Sequence, residues 1–198
     1  MSQDSKRDSI IQAAKKRFSH FGVGKTTMNE IADDLSISKA SLYYYFPDKL
    51  NLYAAVLQEI IETDGIKVES FIEEPSTETA ILLYLDSKNQ FVNKYYNILE
   101  HLQNHNIKTA KELQSIFSLV RTRQLATISG ILDKGKASGN LTVADSKKTA
   151  ELLLDSLEGL QNIMLAQHNA FFPDKKVFQA VLKREKELAS IFIRGLRS

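Results

Sequence analysis

The chain of 198 residues has no cysteine, which removes disulfides, thiolate metal sites and cysteine nucleophiles together. It has only three prolines and eight glycines, a scarcity that suits an all-helical protein. No run of eighteen apolar residues is present, and the start, MSQDSKRDS, is polar with no apolar segment behind it. Neither a membrane span nor a secretory signal is expected, and the cytoplasm is the default location. A large excess of one charge is lacking too. The net charge is +2, and the surplus lies in residues 1–50, with eight Lys/Arg against six Asp/Glu; residues 51–198 carry eighteen of each. Local placement of charge, more than this excess, must decide any affinity for phosphate. Repeats, low-complexity segments and alternating β-branched runs are all missing, so no strand is expected.

What is present concentrates between Thr27 and Lys49: TMNEIADDLSISKASLYYYFPDK. Thr27 and Glu30 have the spacing of a capping box. Ile31, Ala32 and Leu35 make an apolar stripe at helical spacing, with Asp33 and Asp34 on the outer side. Ser36-Ile37-Ser38 breaks that helix and supplies a second cap at Ser38. Ile37, Leu42 and Phe46 can pack back on Ile31 and Leu35, leaving Lys39, Ala40, Tyr43 and Tyr44 on faces a partner can reach. The small Ala32 suits the point where two steeply crossing helices approach. Pro47 stops the second helix and Asp48 caps the next. The unit is a helix-turn-helix, whose second helix reads base edges from its N-terminal end.

These residues, behind an amphipathic first helix ending RFSHFG, resemble the DNA-binding domain of the tetracycline-repressor (TetR) family. The resemblance is close over about the first 50 residues; the rest is similar only in length, helicity and punctuation. It implies an all-α fold, with a helix-turn-helix DNA-binding domain at residues 1–49 and a helical effector-binding and dimerisation domain at 50–198. By resemblance, Asn29, Lys39, Ala40 and Tyr43 face bases, while Thr27, Ser41, Tyr44, Tyr45 and Lys49 clamp phosphates. The chemistry agrees: lysine donates to guanine acceptors, alanine touches a thymine methyl, asparagine pairs with the adenine edge, and hydroxyls bind phosphate oxygens. Position 45 is often histidine in the family and is tyrosine here, which can still donate to phosphate.

Along the remaining chain, helices are expected at about Ser5–Phe21, with Gly22 as its stop, and at Asp48 to roughly Phe71. A polar break at Glu73–Ser76 precedes helices at Ile81 to about Asn104, at Lys108–Ser138 as one helix or a pair, and at Asp145 to about His168. A break at Phe172-Pro173-Asp174 precedes a last helix to about Leu196. The two final helices carry broad apolar faces, which an intrachain core or a two-fold partner would both cover; the resemblance favours a homodimer through them.

Other constellations carry less. Gly22-Val23-Gly24-Lys25-Thr26-Thr27 lacks the upstream glycine and the strand of a phosphate-binding loop. His101 and His105 stand four apart, yet Leu102 occupies the place where a zinc protease needs glutamate. No catalytic arrangement, metal site or cofactor is expected. Phe71, Tyr84, Phe91, Tyr95, Tyr96, Phe117 and Gln124 lie on the middle helices, where the resemblance implies a pocket for an apolar or aromatic effector; ordinary core packing would also account for them. Three readings follow: a homodimeric, ligand-responsive repressor on a palindromic double-stranded operator; a DNA-bound platform for a protein partner without a small ligand; and, least supported, a metal hydrolase built on the histidine pair.

Overall fold

The computed structural model of the chain describes residues 3–66, 69–103, 110–167 and 175–197. These residues form α1 (Gln3–Phe21), α2 (Met28–Asp34), α3 (Lys39–Tyr45), α4 (Lys49–Thr63), α5 (Glu69–Ile72), α6 (Thr77–Lys94), α7 (Tyr96–Leu99) with a 3₁₀ turn at Glu100–Gln103, α8 (Lys111–Ala137), α9 (Ser146–Gln167) and α10 (Lys175–Gly195). The all-α expectation holds: among the described residues the one β pairing is an isolated bridge between Leu141 and Arg197. No described helix is long and apolar enough to cross a membrane.

Two elements are shorter than the periodicity predicts. The helix expected from Asp48 to Phe71 stops at Thr63, where the Asp64 N–H closes on the Ile60 carbonyl at 3.1 Å and Gly65 follows. The helix expected through Ile81 to Asn104, with Ser76 or Thr77 as its cap, starts at Thr77, with Ser76 accepting from the Thr79 N–H at 3.2 Å. It ends at Lys94, because Lys94 and Tyr95 both turn to the Asp64 carboxylate. That anchor lies about thirty residues away, so apolar spacing carries no sign of it. The break at Phe172-Pro173-Asp174 and the end at His168 lie outside the described residues.

The chain divides into two compact units, residues 1–65 with 94–118, and residues 66–93 with 119–198. By packing, α4 therefore belongs with the first unit, so a division at residue 49 follows the DNA-binding motif and not the core. The first unit is built on α1. Ile10, Phe18, Ile31, Leu42, Leu52 and Ile60 are all fully buried there, each worth about 1.5–3 kcal/mol of transfer free energy. Phe18 and Tyr53 meet edge to face at 6.2 Å, and the buried Tyr53 hydroxyl donates to the Ile98 carbonyl at 2.8 Å. Gly22 takes the left-handed conformation, φ +81°, that lets α1 end with its N–H on the Phe18 carbonyl.

The second unit has its own core of Phe71, Tyr84, Leu85, Ile128, Leu132, Leu153 and their neighbours. Gly135 of α8 sits where a Cβ would come within 2.4 Å of the Thr77 hydroxyl and 2.8 Å of Leu141, so only glycine permits that approach. Two ion pairs of opposite sense join α6 to α10: Lys88–Glu185 at 3.2 Å and Asp86–Lys186 at 2.6 Å. Glu185 is 5% exposed, a position that the apolar periodicity of α10 does not announce.

Candidate nucleic-acid interface

The helix-turn-helix is held by local hydrogen bonds that its residue types dictate. Thr27 caps α2, its hydroxyl oxygen accepting from the Glu30 N–H at 3.3 Å while the Glu30 carboxylate accepts from the Thr27 N–H at 2.7 Å. This is the capping box expected from the spacing. The Thr27 hydroxyl also donates to Glu30, at 2.8 Å. Thr27 is exposed and carries the capping role as well as standing at the start of α2. Between α2 and α3 the chain turns at Ser36, in the left-handed region at φ +51°, with the Ile37 N–H on the Ala32 carbonyl at 3.0 Å. Ser38 then caps α3 by accepting from the Ser41 N–H at 3.1 Å. Asp48 caps α4 through the Asn51 N–H at 2.8 Å.

Within α3 one side is inside and the other outside. Leu42 is fully buried and Phe46, at its end, is 3% exposed. Lys39 and Ala40 are exposed, Tyr43 is 39% exposed and Tyr44 73% exposed. Tyr45 is half-buried and stands edge-on to Tyr44 at 5.2 Å. The Lys39 ammonium lies 5.8 Å from the centre of the Tyr43 ring, one turn further on, a cation–π contact that holds both side chains on the outer flank. Ser41 is half-buried and Asn29 on α2 is exposed.

Three long-range contacts position this surface, and spacing along the chain gives none of them away. Arg17, which the helical pattern turns toward water, donates to both oxygens of Asp34 at 2.5 and 2.8 Å and lies 3.4 Å from Glu30. It ties α1 to the last turn of α2. The Arg17 hydrogen bond holds the Asp34 carboxyl below the usual range, and the Thr27 N–H and hydroxyl do the same for Glu30. A depressed carboxyl stabilises the fold above its unfolded pKa, and acid removes that contribution as pH falls through the folded value. Second, two of the three donors of the Lys49 ammonium reach the carbonyls of Val23 and Thr26, at 3.0 and 3.1 Å. Lys49 thus pins the loop before α2, leaving one donor for a phosphate. Third, the Asn97 amide donates to the Ser19 carbonyl at 2.7 Å.

His101 packs edge-on to Tyr53 at 5.2 Å; burial, then the nearby Lys49 charge, lowers its pKa. His105 lies outside the described residues. Among those described, no three His, Cys, Asp or Glu side chains gather as metal ligands would.

The seven residues read as an effector pocket are distributed over both units. Tyr95, Tyr96 and Phe117 group with the first unit; Phe71, Tyr84, Phe91 and Gln124 group with the second. There the Phe71 and Tyr84 rings meet edge to face at 6.0 Å. Among the described residues the buried Tyr84 hydroxyl closes no hydrogen bond within normal limits; burial pushes its pKa up, and the nearby Gln124 side chain opposes that rise.

Residues 10–56 match the model of bacterial regulatory proteins of the tetR family. Over 84 residues the chain is 37% identical to the HTH-type transcriptional regulator RutR of Escherichia coli K12, a match that covers 42% of this chain and only 40% of that relative. It is 25% identical over 176 residues to the HTH-type transcriptional repressor BepR of Brucella suis biovar 1, with 83% of each covered. The crystal structure of a transcriptional regulator from Cytophaga hutchinsonii superposes with a TM-score of 0.83 at 26% identity, covering 98% of this chain and 99% of that one. The capped helix-turn-helix with its open outer flank thus lies in the segment that matches the tetR family of bacterial regulatory proteins, on a chain whose fold follows a solved transcriptional regulator from end to end.

Proposed function

We propose that the protein is a homodimeric transcriptional repressor that binds a palindromic double-stranded operator and is released by a small-molecule effector. The observation that carries the DNA half is the division of α3, with Leu42 at 0% exposure and Lys39, Ala40, Tyr43 and Tyr44 facing out. Lys39, Ala40 and Tyr43, with Asn29 beside them, read base edges. Tyr44, Tyr45, Ser41 and the remaining donor of Lys49 hold phosphates. Such a regulator works on DNA in the cytoplasm.

The test uses a duplex recovered by the wild-type protein from a randomised library. The double variant K39A/Y43A should bind that duplex at least about 30-fold more weakly, since each good base contact is worth about 1–3 kcal/mol. Affinity for random-sequence duplex should fall far less. Equal losses on both duplexes would remove the base-reading role, and a wild-type protein that protects no duplex would remove the regulator reading altogether.

The dimer half is supported by apolar side chains that the second unit leaves outside. Leu152 and Ile163 of α9 are each 60% exposed and Ile191 of α10 is 71% exposed. An open groove of about 520 Å³ between these helices is lined by Leu160, Ile163, Met164 and Ala180, with Lys183, Arg184 and Glu187. On a palindromic operator the two recognition helices of such a dimer would enter successive major grooves, about 34–36 Å apart. The variant I163E should be monomeric at micromolar concentration by light scattering. A mass that stays dimeric would free this face for the docking of a different protein, the alternative platform function.

For the effector, the reading is supported by the Phe71 and Tyr84 rings meeting edge to face and by the buried Tyr84 hydroxyl, a polar group among apolar ones. That combination suits an apolar or aromatic molecule with one hydrogen-bonding group. Its binding releases DNA by favouring a conformation with lower operator affinity.

A further inference from the structure

Arg7 lies on α1, exposed, with its guanidinium carbon 5.2 Å from the centre of the Phe46 ring. Phe46 is the residue on which α3 ends, its N–H closing the last turn on the Leu42 carbonyl at 3.0 Å. A guanidinium laid on an aromatic ring is fixed in place while its N–H edge stays available. Asp4 and Asp8 are its acidic neighbours on α1, yet among the described residues no carboxylate forms an ion pair with it; Arg17 is the arginine of α1 that is taken, by Asp34 and Glu30. The ring therefore settles where the Arg7 charge stands and leaves its donors open.

The position relative to α3 gives the charge a use. Seven residues make a rod about 10 Å long at 1.5 Å per residue, close to the ~12 Å width of the major groove of B-DNA. Lys39 stands at the end that enters the groove, so the opposite end emerges toward the groove wall, where the phosphates lie. That end also carries the partial negative charge of free helix carbonyls, which would repel a phosphate unless a cation covers it.

We infer that Arg7 is a phosphodiester clamp, gripping the backbone at the exit end of the recognition helix. The inference rests on the DNA-binding reading above. Its test compares the full-length wild type, R7M and R7K on the duplex selected by the wild type. R7M keeps an unbranched apolar chain beside Phe46 and removes the charge together with its N–H donors. It should weaken binding about 10-fold near 0.1 M salt and make the slope of log affinity against log salt shallower by about 0.9 per subunit. Base preference on reselection and the thermal midpoint should stay as in wild type. R7K should keep the wild-type slope. Unchanged affinity and slope in R7M would overturn the clamp alone, and so would weaker binding with an unchanged slope, which would make Arg7 a packing residue. Failure of the wild type to select any duplex would overturn the clamp and the regulator reading together.

Discussion

Leu42→Ala should cost the first unit about 2–5 kcal/mol, the range for emptying a fully buried leucine site whose neighbours collapse only in part. Leu42 is 0% exposed and is the one residue of α3 that is fully inside. A seven-residue helix has little stability of its own, so it depends on that side chain to stay seated against α2. Denaturant unfolding monitored by circular dichroism should show the loss, and operator affinity should fall with it although Leu42 touches no DNA. Leu42→Met, nearly equal in volume, should cost under about 1.5 kcal/mol and keep binding. A Leu42→Ala protein within about 0.5 kcal/mol of wild type would mean that α3 is held by its caps and not by its core contact.

Lys88→Met should be equally damaging in the second unit. The Glu185 side chain is 6% exposed and its carboxylate sits 3.2 Å from the Lys88 ammonium. Taking away the lysine leaves a buried charge unpaired, at about 3–5 kcal/mol. The double variant K88M/E185L should recover most of the stability, because well-packed apolar groups often replace a buried pair without cost. A double variant as unstable as K88M would show that the pair matters for more than charge balance. Asp86–Lys186, half-exposed beside it, is expected to contribute far less.

Much of the head could be read directly from residue order, because the interactions that shape it are local. Thr27 with Glu30, Ser38 with Ser41 and Asp48 with Asn51 each join residues three apart, and the burial of Leu42 follows from helical periodicity. Where partners are distant, the reading failed or stayed partial. Arg17 finds Asp34 seventeen residues on, and Lys49 finds Val23 twenty-six residues back; as isolated cations both look like surface groups. Tyr95 looks like a pocket aromatic until the Asp64 carboxylate accepts its hydroxyl and α6 ends there. The effector residues were chosen by type and helix, and neither property says which of two cores a side chain enters. Spacing is silent on Arg7 in the same way, since its partner ring stands at the far end of another helix.

The bidentate Arg17–Asp34 contact has a mechanical corollary. With α1 bolted to the second helix of the motif, and that helix to the third through a tight turn, a torque applied anywhere along α1 swings the reading rod without bending it. A substitution at Arg17 would act as a slipping clutch, with the outer flank of α3 intact and its coupling to α1 lost.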